Sequence, residues 1–287
     1  MKKILKTLLY VGCPIGLAFF AVLFLDLIIL LLLTRRLSEA ARAVFFRLRK
    51  IWRVWGYLVL NRSLLIIGWL YAWWNFKVIN HVRIIGRHNL PAGKRRRGML
   101  FVSNHQTLGD SFLIGLAVAK LWDIVLYPSR VPWNAPAKEN FFSKPLYRWL
   151  FKFLNNVPVI RGQQSPGLFR RQMQKLAEAL HRGCLLLFFE GTRSRTGQIG
   201  ECKRAVAYFI YHYQPTSVVP IRLVDIRQIM PIELGYKFFN LNWRRKGALI
   251  IGKPLDLTEA LTIPDEQIAY DKIKTLIKTA VEELGVN

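Results

Sequence analysis

Apolar positions fall along this chain in three textures. Residues 8–33 are almost continuously apolar apart from Asp26, with Lys2, Lys3 and Lys6 before them and Arg35 and Arg36 after them. As a helix these 26 residues reach about 39 Å, more than a hydrocarbon core of roughly 30 Å requires. The run is too long for the apolar region of a signal peptide and no small-residue cleavage site follows it, so it predicts a transmembrane helix. Residues 35–53 carry seven Lys/Arg and one Glu, interleaved with Val44, Phe45, Phe46, Leu48, Ile51 and Trp52. That pattern predicts a basic interfacial helix, and the excess of positive charge puts it on the cytoplasmic side. Residues 54–74 are apolar again but are broken by Asn61, Arg62 and Ser63. They predict a hairpin or shallow monotopic insertion, with Trp55, Tyr57, Trp69, Tyr71, Trp73 and Trp74 at headgroup depth. An ordinary pair of buried core helices is the alternative.

From Val78 the texture is that of an α/β domain. Short strands are predicted at Val78–Ile85, Met99–Ser103, Val157–Ile160, Cys184–Phe189, Ser217–Leu223 and Ala248–Ile251. Helices are predicted at Asp110–Lys120, from Ser165-Pro166 to Gly183, at Lys203–Tyr213 and from Pro264 to Gly285. The strands are continuous apolar runs rather than alternating ones, as in a parallel sheet covered on both faces. The fold class that follows is α/β, a largely parallel sheet flanked by helices with an N-terminal membrane-associated helical segment. The domain division is residues 1–77, a membrane anchor, and 78–287, an α/β domain facing the cytoplasm.

Charge narrows the partners. The chain holds 43 Lys+Arg against 17 Asp+Glu, a net charge of +26, which calls for an anionic partner. Beside so much apolar sequence that partner is an anionic bilayer, which attracts each nearby basic side chain by about 1 kcal/mol, and not nucleic acid. Cys13, Cys184 and Cys202 show no CxxC spacing, and His81, His88, His105, His181 and His212 show no HExxH-like pair. Neither a disulfide framework nor a metal site is expected.

In a parallel sheet the ligand site lies at the carboxyl ends of the strands. Here the predicted strand ends deliver His105, then Arg161, then Glu190-Gly191-Thr192-Arg193-Ser194-Arg195. His105 and Asp110, five positions apart at a strand-to-helix junction, can meet in space. The imidazole would take a proton from an alcohol while the carboxylate holds its other nitrogen. The bland alternative is a turn, with Asp110 as a helix N-cap. Arg193 and Arg195 could clamp a phosphate, and amides around Gly191 and Thr192 could hold an anion or oxyanion. No GxSxG elbow is present, so direct transfer is expected rather than a covalent acyl-enzyme.

These pieces resemble the phospholipid and glycerol acyltransferases, in particular the lysophosphatidic acid (1-acylglycerol-3-phosphate) acyltransferases. The resemblance runs from about Val78 to Pro254 and rests on four ordered blocks: Asn104-His105 with Asp110, Val157 to Arg161, Phe189 to Ser194, and Val218 to Ile221. It implies that His105 and Asp110 are a catalytic dyad, that Arg161 and Arg193 belong to a glycerol-phosphate site, and that Glu190, Gly191 and Thr192 shape it. It also implies that Lys138, in Ala137 to Phe142, contacts the phosphate, although Asn140 stands where relatives carry an apolar residue. Where relatives show Phe-Lys-x-Gly this chain has Cys202-Lys203-Arg204-Ala205, and Tyr127–Pro136 reads as an insertion. The activity implied is acyl transfer to the sn-2 hydroxyl of 1-acylglycerol 3-phosphate, with acyl-CoA or acyl-carrier protein as co-substrate and no cofactor. Another lysophospholipid, a lyso-ornithine lipid or glycerol 3-phosphate as acceptor, and a catalytically silent lipid-binding protein, are the alternatives. The place implied is the cytoplasmic face of a membrane.

Overall fold

The structure is a computed structural model that describes residues 39–91, 96–142, 145–162, 165–231 and 242–285. The transmembrane helix expected at residues 8–33, and Lys94 and Arg95 of the basic loop, lie outside these residues. The chain divides into two units, 1–60 and 61–287.

Helix α1, Glu39–Ala72, is continuous and passes into a π-helical stretch, Trp73–Ile79. No turn interrupts it at Asn61–Ser63, so the expected hairpin does not form. Asn61 is 3 % exposed and its Nδ2 donates to the Phe153 carbonyl at 2.6 Å and to Asn155 Oδ1 at 3.1 Å. The polar residue that reads as a break in an apolar run is thus a docking point. From there Leu65, Ile66 and Trp69 pack on Ala119, Ile124 and Val131, and Ala72 and Phe76 enter the core. This burial accompanies the start of the second unit at Asn61. The stretch Phe46–Ile79 is long and apolar enough to cross a membrane. Asn75 and Asn80 supply side-chain amides to the Tyr71 and Asn75 carbonyls, which satisfies the loosened helix end. The strand expected from Val78 is therefore shortened to Arg83–Ile85.

Among the described residues six strands form one mixed sheet in the order β1-β6-β5-β2-β4-β3. They are β1 Arg83–Ile85, β2 Met99–Ser103, β3 Trp133–Asn134, β4 Leu185–Phe188, β5 Ser217–Val224 and β6 Ala248–Ile251. Neighbours pair in parallel except β5 with β6. Both faces are covered, which is why the strands are apolar throughout. On one face Leu100, Val102, Leu185, Leu187 and Val218 meet helices α6 (Pro166–Arg182), α7 (Arg204–Tyr213) and α9 (Glu266–Glu283). On the other, Met99, Phe101, Leu186, Val219, Ile221 and Leu249 meet α2 (Asp110–Val118) and the end of the first helix. The remaining helices, α3 (Leu121–Leu126), α4 (Lys138–Phe141), α5 (Pro145–Lys152) and α8 (Thr258–Leu261), are short.

Two further expectations change. Tyr127–Pro136 is not an insertion laid over the fold, since it supplies edge strand β3, paired with β4. Val157–Ile160 is not a regular strand; it runs beside β3 and the residues after it through the bridges Asn134↔Asn156 and Ala137↔Val159. Pro136 and Pro158 each lack an N–H, which limits the ladder such a segment can form. Ser165 caps α6 as its sequence predicts, accepting from the Leu168 amide.

Candidate functional site

β2 ends at Ser103, and the loop that follows is stitched to β5 before α2 begins. Asn104 Oδ1 accepts from the Leu223 amide at 2.7 Å, and its Nδ2 donates to the Leu223 carbonyl at 3.0 Å. Gln106 Nε2 donates to the same carbonyl, while its Oε1 accepts from the Arg227 amide. Gly109 meets Phe76 so closely that an added Cβ would lie 3.0 Å from its ring. These ties hold the loop in one shape.

Within it, His105 Nδ1 lies 2.9 Å from Asp110 Oδ2. The carboxylate is fully buried and is satisfied on every side: Oδ2 also accepts from the Gln106 and Thr107 amides at 2.6 and 2.8 Å, and Oδ1 from the Thr107 hydroxyl at 2.5 Å. Asp110 is the first residue of α2 and Gly109 its N-cap. Its side chain serves the loop behind it, so the N-cap alternative does not hold. An acceptor-only carboxylate implies that Nδ1 carries the hydrogen, which leaves Nε2 with the lone pair. The imidazole lies flat on Phe188, with centroids 3.8 Å apart and 9° between planes.

His105 lines a cavity of about 890 Å³, within the usual range of roughly 300–1,000 Å³ for small-molecule sites. One part of the lining is cationic: Arg161, Arg193, Arg195 and Lys203, with Gly191 and Thr192. The other is apolar: Val159, Phe169, Met173, Leu176, Leu186, Phe188 and Val206 among others. Gln172 Oε1 accepts from the Ile160 amide at 2.8 Å and so steadies the backbone that presents Arg161.

The expected site residues therefore separate. His105 and Asp110 meet, and Arg161, Gly191, Thr192 and Arg193 line the same cavity. Lys138 is not among the lining residues; it is exposed in the first turn of α4, its amide bonded to the Val159 carbonyl. The Gly191 amide is committed to the Phe188 carbonyl at 3.0 Å, so it is not the anion donor that the loop sequence suggests. Glu190 lies behind the cavity, 6 % exposed, with Oε1 accepting from the His105 amide at 2.9 Å. The His105 carbonyl accepts in turn from the Ser194 amide at 2.7 Å. Glu190 thus fixes the backbone of His105. Phe188 and Gln172 escape sequence reasoning, one because it reads as core strand and the other because it reads as helix surface.

Burial pushes the Glu190 carboxyl above its ordinary value of 4.5, opposed by the amides of His105 and Gly200. Its folded form then binds a proton more tightly than its unfolded form. Stability rises as pH falls through the folded pKa toward 4.5, and the penalty is fully present above the folded pKa. Glu190→Gln should flatten that part of the pH dependence in denaturant melts. Glu190→Ala should cost about 1–3 kcal/mol for each amide left unpaired, and an unchanged melting midpoint in both variants would contradict this account.

A buried carboxylate behind an imidazole, in a cavity lined by both cationic and apolar side chains, gives this α/β protein one ring nitrogen placed as a candidate base. The family model for the acyltransferases, described as Acyltransferase, matches residues 81–224, half of the chain. The chain belongs to this family, among the phospholipid and glycerol acyltransferases. The crystal structure of the 1-acyl-sn-glycerophosphate (LPA) acyltransferase PlsC from Thermotoga maritima has a similar fold, with a TM-score of 0.53 and 20 % sequence identity over 92 % of this chain and 96 % of that one. Among curated proteins none matches significantly.

Proposed function

We propose that the protein is a membrane-bound acyltransferase that moves a fatty acyl group from acyl-CoA or acyl-carrier protein to the sn-2 hydroxyl of 1-acylglycerol 3-phosphate, giving phosphatidic acid. The observation that carries this reading is a cavity lined at once by His105, by the cations Arg161, Arg193, Arg195 and Lys203, and by apolar side chains. A phosphomonoester fits Arg161 and Arg193 by charge-assisted hydrogen bonds, and fatty chains fit the Phe169, Met173 and Leu176 wall. Direct transfer needs no further group. His105 Nε2 accepts the hydroxyl proton as the oxygen attacks the thioester carbonyl. Asp110 stabilises the imidazolium that forms. The Thr192 amide meets the charge on the tetrahedral oxygen. The C–S bond then breaks, and the thiolate takes the proton back from the imidazolium.

Membrane attachment is part of the proposal, with the α/β unit on the cytoplasmic face of an anionic bilayer. The apolar stretch Phe46–Ile79 and the net charge of +26 support it.

The test is to incubate the purified chain with labelled acyl-CoA or acyl-carrier protein and a panel of acceptors, read by mass spectrometry. Lysophosphatidic acid should give the largest yield. A larger yield with another lysophospholipid, a lyso-ornithine lipid or glycerol 3-phosphate would replace the acceptor, and no product with any would favour a silent lipid binder.

A further inference from the structure

Helix α3 has its polarity turned inside out. Its acid, Asp123, is 5 % exposed, accepting from the Lys120 amide at 2.8 Å and from Arg130 Nη1 at 2.6 Å. Three of its large apolar residues point outward: Trp122 is 72 % exposed, Val125 48 % and Leu126 61 %. These stand at positions i, i+3 and i+4, one face of the helix, so they form a stripe and not scattered exposures of the kind every surface has. A water-facing helix has the opposite arrangement.

The opposite face of α3 shows what covers the stripe. Ile124 and Leu121 pack with Val131 on Leu65, Ile66 and Trp69, and Trp69 Nε1 donates to the Ala119 carbonyl at 2.9 Å just before α3 starts. Those partners belong to the stretch long and apolar enough to cross a membrane. The surroundings are basic: Lys120 is exposed, and Arg96 lies close enough to Asp123 and Arg130 to feel both charges while donating to the Val118 carbonyl. With Arg130 paired to Asp123, the exposed Lys120 and half-buried Arg96 leave this surface net positive, which suits anionic headgroups, and a tryptophan beside aliphatic residues suits the boundary between headgroups and chains.

We infer that α3 is a second membrane contact, inserting Trp122, Val125 and Leu126 into the acyl boundary of an anionic bilayer. It follows α2 directly, and α2, nine residues and roughly 13 Å long, begins at Asp110, so the contact lies just beyond the far end of the helix that carries the His105 partner. Such a contact would hold the cavity at the depth where lysolipid headgroups lie. This inference rests on the membrane attachment proposed above.

The experiment places an environment-sensitive fluorophore on Leu126→Cys, and separately on Trp122→Cys, in the full chain reconstituted into vesicles of three parts phosphatidylcholine to one part phosphatidylglycerol. Thr279→Cys, exposed on α9 across the sheet, is the aqueous control, and the parent chain corrects for labelling of native cysteines. Labels at 126 and 122 should be quenched by lipids carrying a doxyl group high on the acyl chain and protected several-fold from iodide, with the reverse at 279. Iodide quenching at 126 and 122 equal to that at 279 overturns the inference while leaving attachment through the long helix standing. Protection from both quenchers also overturns it and assigns the stripe to protein, either another part of the chain or a second copy. A chain that does not sediment with the vesicles sinks both this inference and the membrane reading. No turnover is needed, so failure of the acyltransfer reading alone leaves the depth result intact.

Discussion

Alanine at His105 is expected to lower kcat for acyl transfer by about 10²- to 10⁴-fold, the usual worth of a positioned base, with KM for the acceptor little changed. The imidazole is the group that faces the cavity with a lone pair free of Asp110, and among the described lining residues there is no second histidine, no carboxylate and no thiol. Binding should survive because the cationic lining and the apolar wall remain. Folding should survive too, since Asp110 keeps the Gln106 and Thr107 amides and the Thr107 hydroxyl as donors. The check is kcat and KM in mixed micelles together with the amount of protein recovered in membranes. Full activity at normal abundance would sink the mechanism.

Asp110→Asn is expected to lose activity on a similar scale and stability besides. The carboxylate accepts four hydrogen bonds, three at Oδ2 and one at Oδ1. An amide keeps one oxygen and brings two hydrogens where only donors stand. With its oxygen toward the backbone amides, its NH₂ meets the Thr107 hydroxyl, which can rotate to accept. With its NH₂ toward them, two buried amides lose their acceptor, at about 1–3 kcal/mol each. In that second orientation the NH₂ also faces Nδ1 and favours the tautomer with its hydrogen on Nε2, which is no longer a base. Combined with His105→Ala the loss in kcat should be little greater than for either variant alone, because the two act as a unit. Rates and melting midpoints of the two single variants and the double variant provide the check; additive losses in kcat would show that Asp110 acts independently of His105.

Several elements were legible from local pattern because their causes are local. Ser165-Pro166 and Gly183 bracket α6, and Asp265 begins α9 by accepting from the Ile268 amide. The apolar runs at Met99–Ser103, Cys184–Phe189 and Ser217–Leu223 became β2, β4 and β5 because both sheet faces are covered. The meeting of His105 and Asp110 was equally local, five residues apart across one tight loop. The ordered blocks identified the family for a similar reason, since each block closes one strand-to-loop junction.

Other features depend on partners far along the chain. Asn61 looked like the apex of a hairpin, and only the Phe153 carbonyl and Asn155, more than ninety residues away, make it a docking point in a straight helix. Phe188 looked like core until the sheet set it under the imidazole, and Glu190 looked like a lining residue until its carboxylate turned back to the His105 amide. Lys138 followed a motif, but it is exposed and is not among the residues that line the cavity. The outward stripe on α3 is the clearest case. Composition alone would bury Trp122 and expose Asp123, whereas Arg130 draws the acid inward and leaves the apolar face outside. By itself the sequence determined the class of fold, the family and the meeting of His105 with Asp110, all set by short-range pattern and spacing. Which side chains share the cavity, which stand behind it and which face outward was decided by the tertiary structure, because burial and hydrogen bonding at each position depend on groups that only the packed sheet and helices bring near.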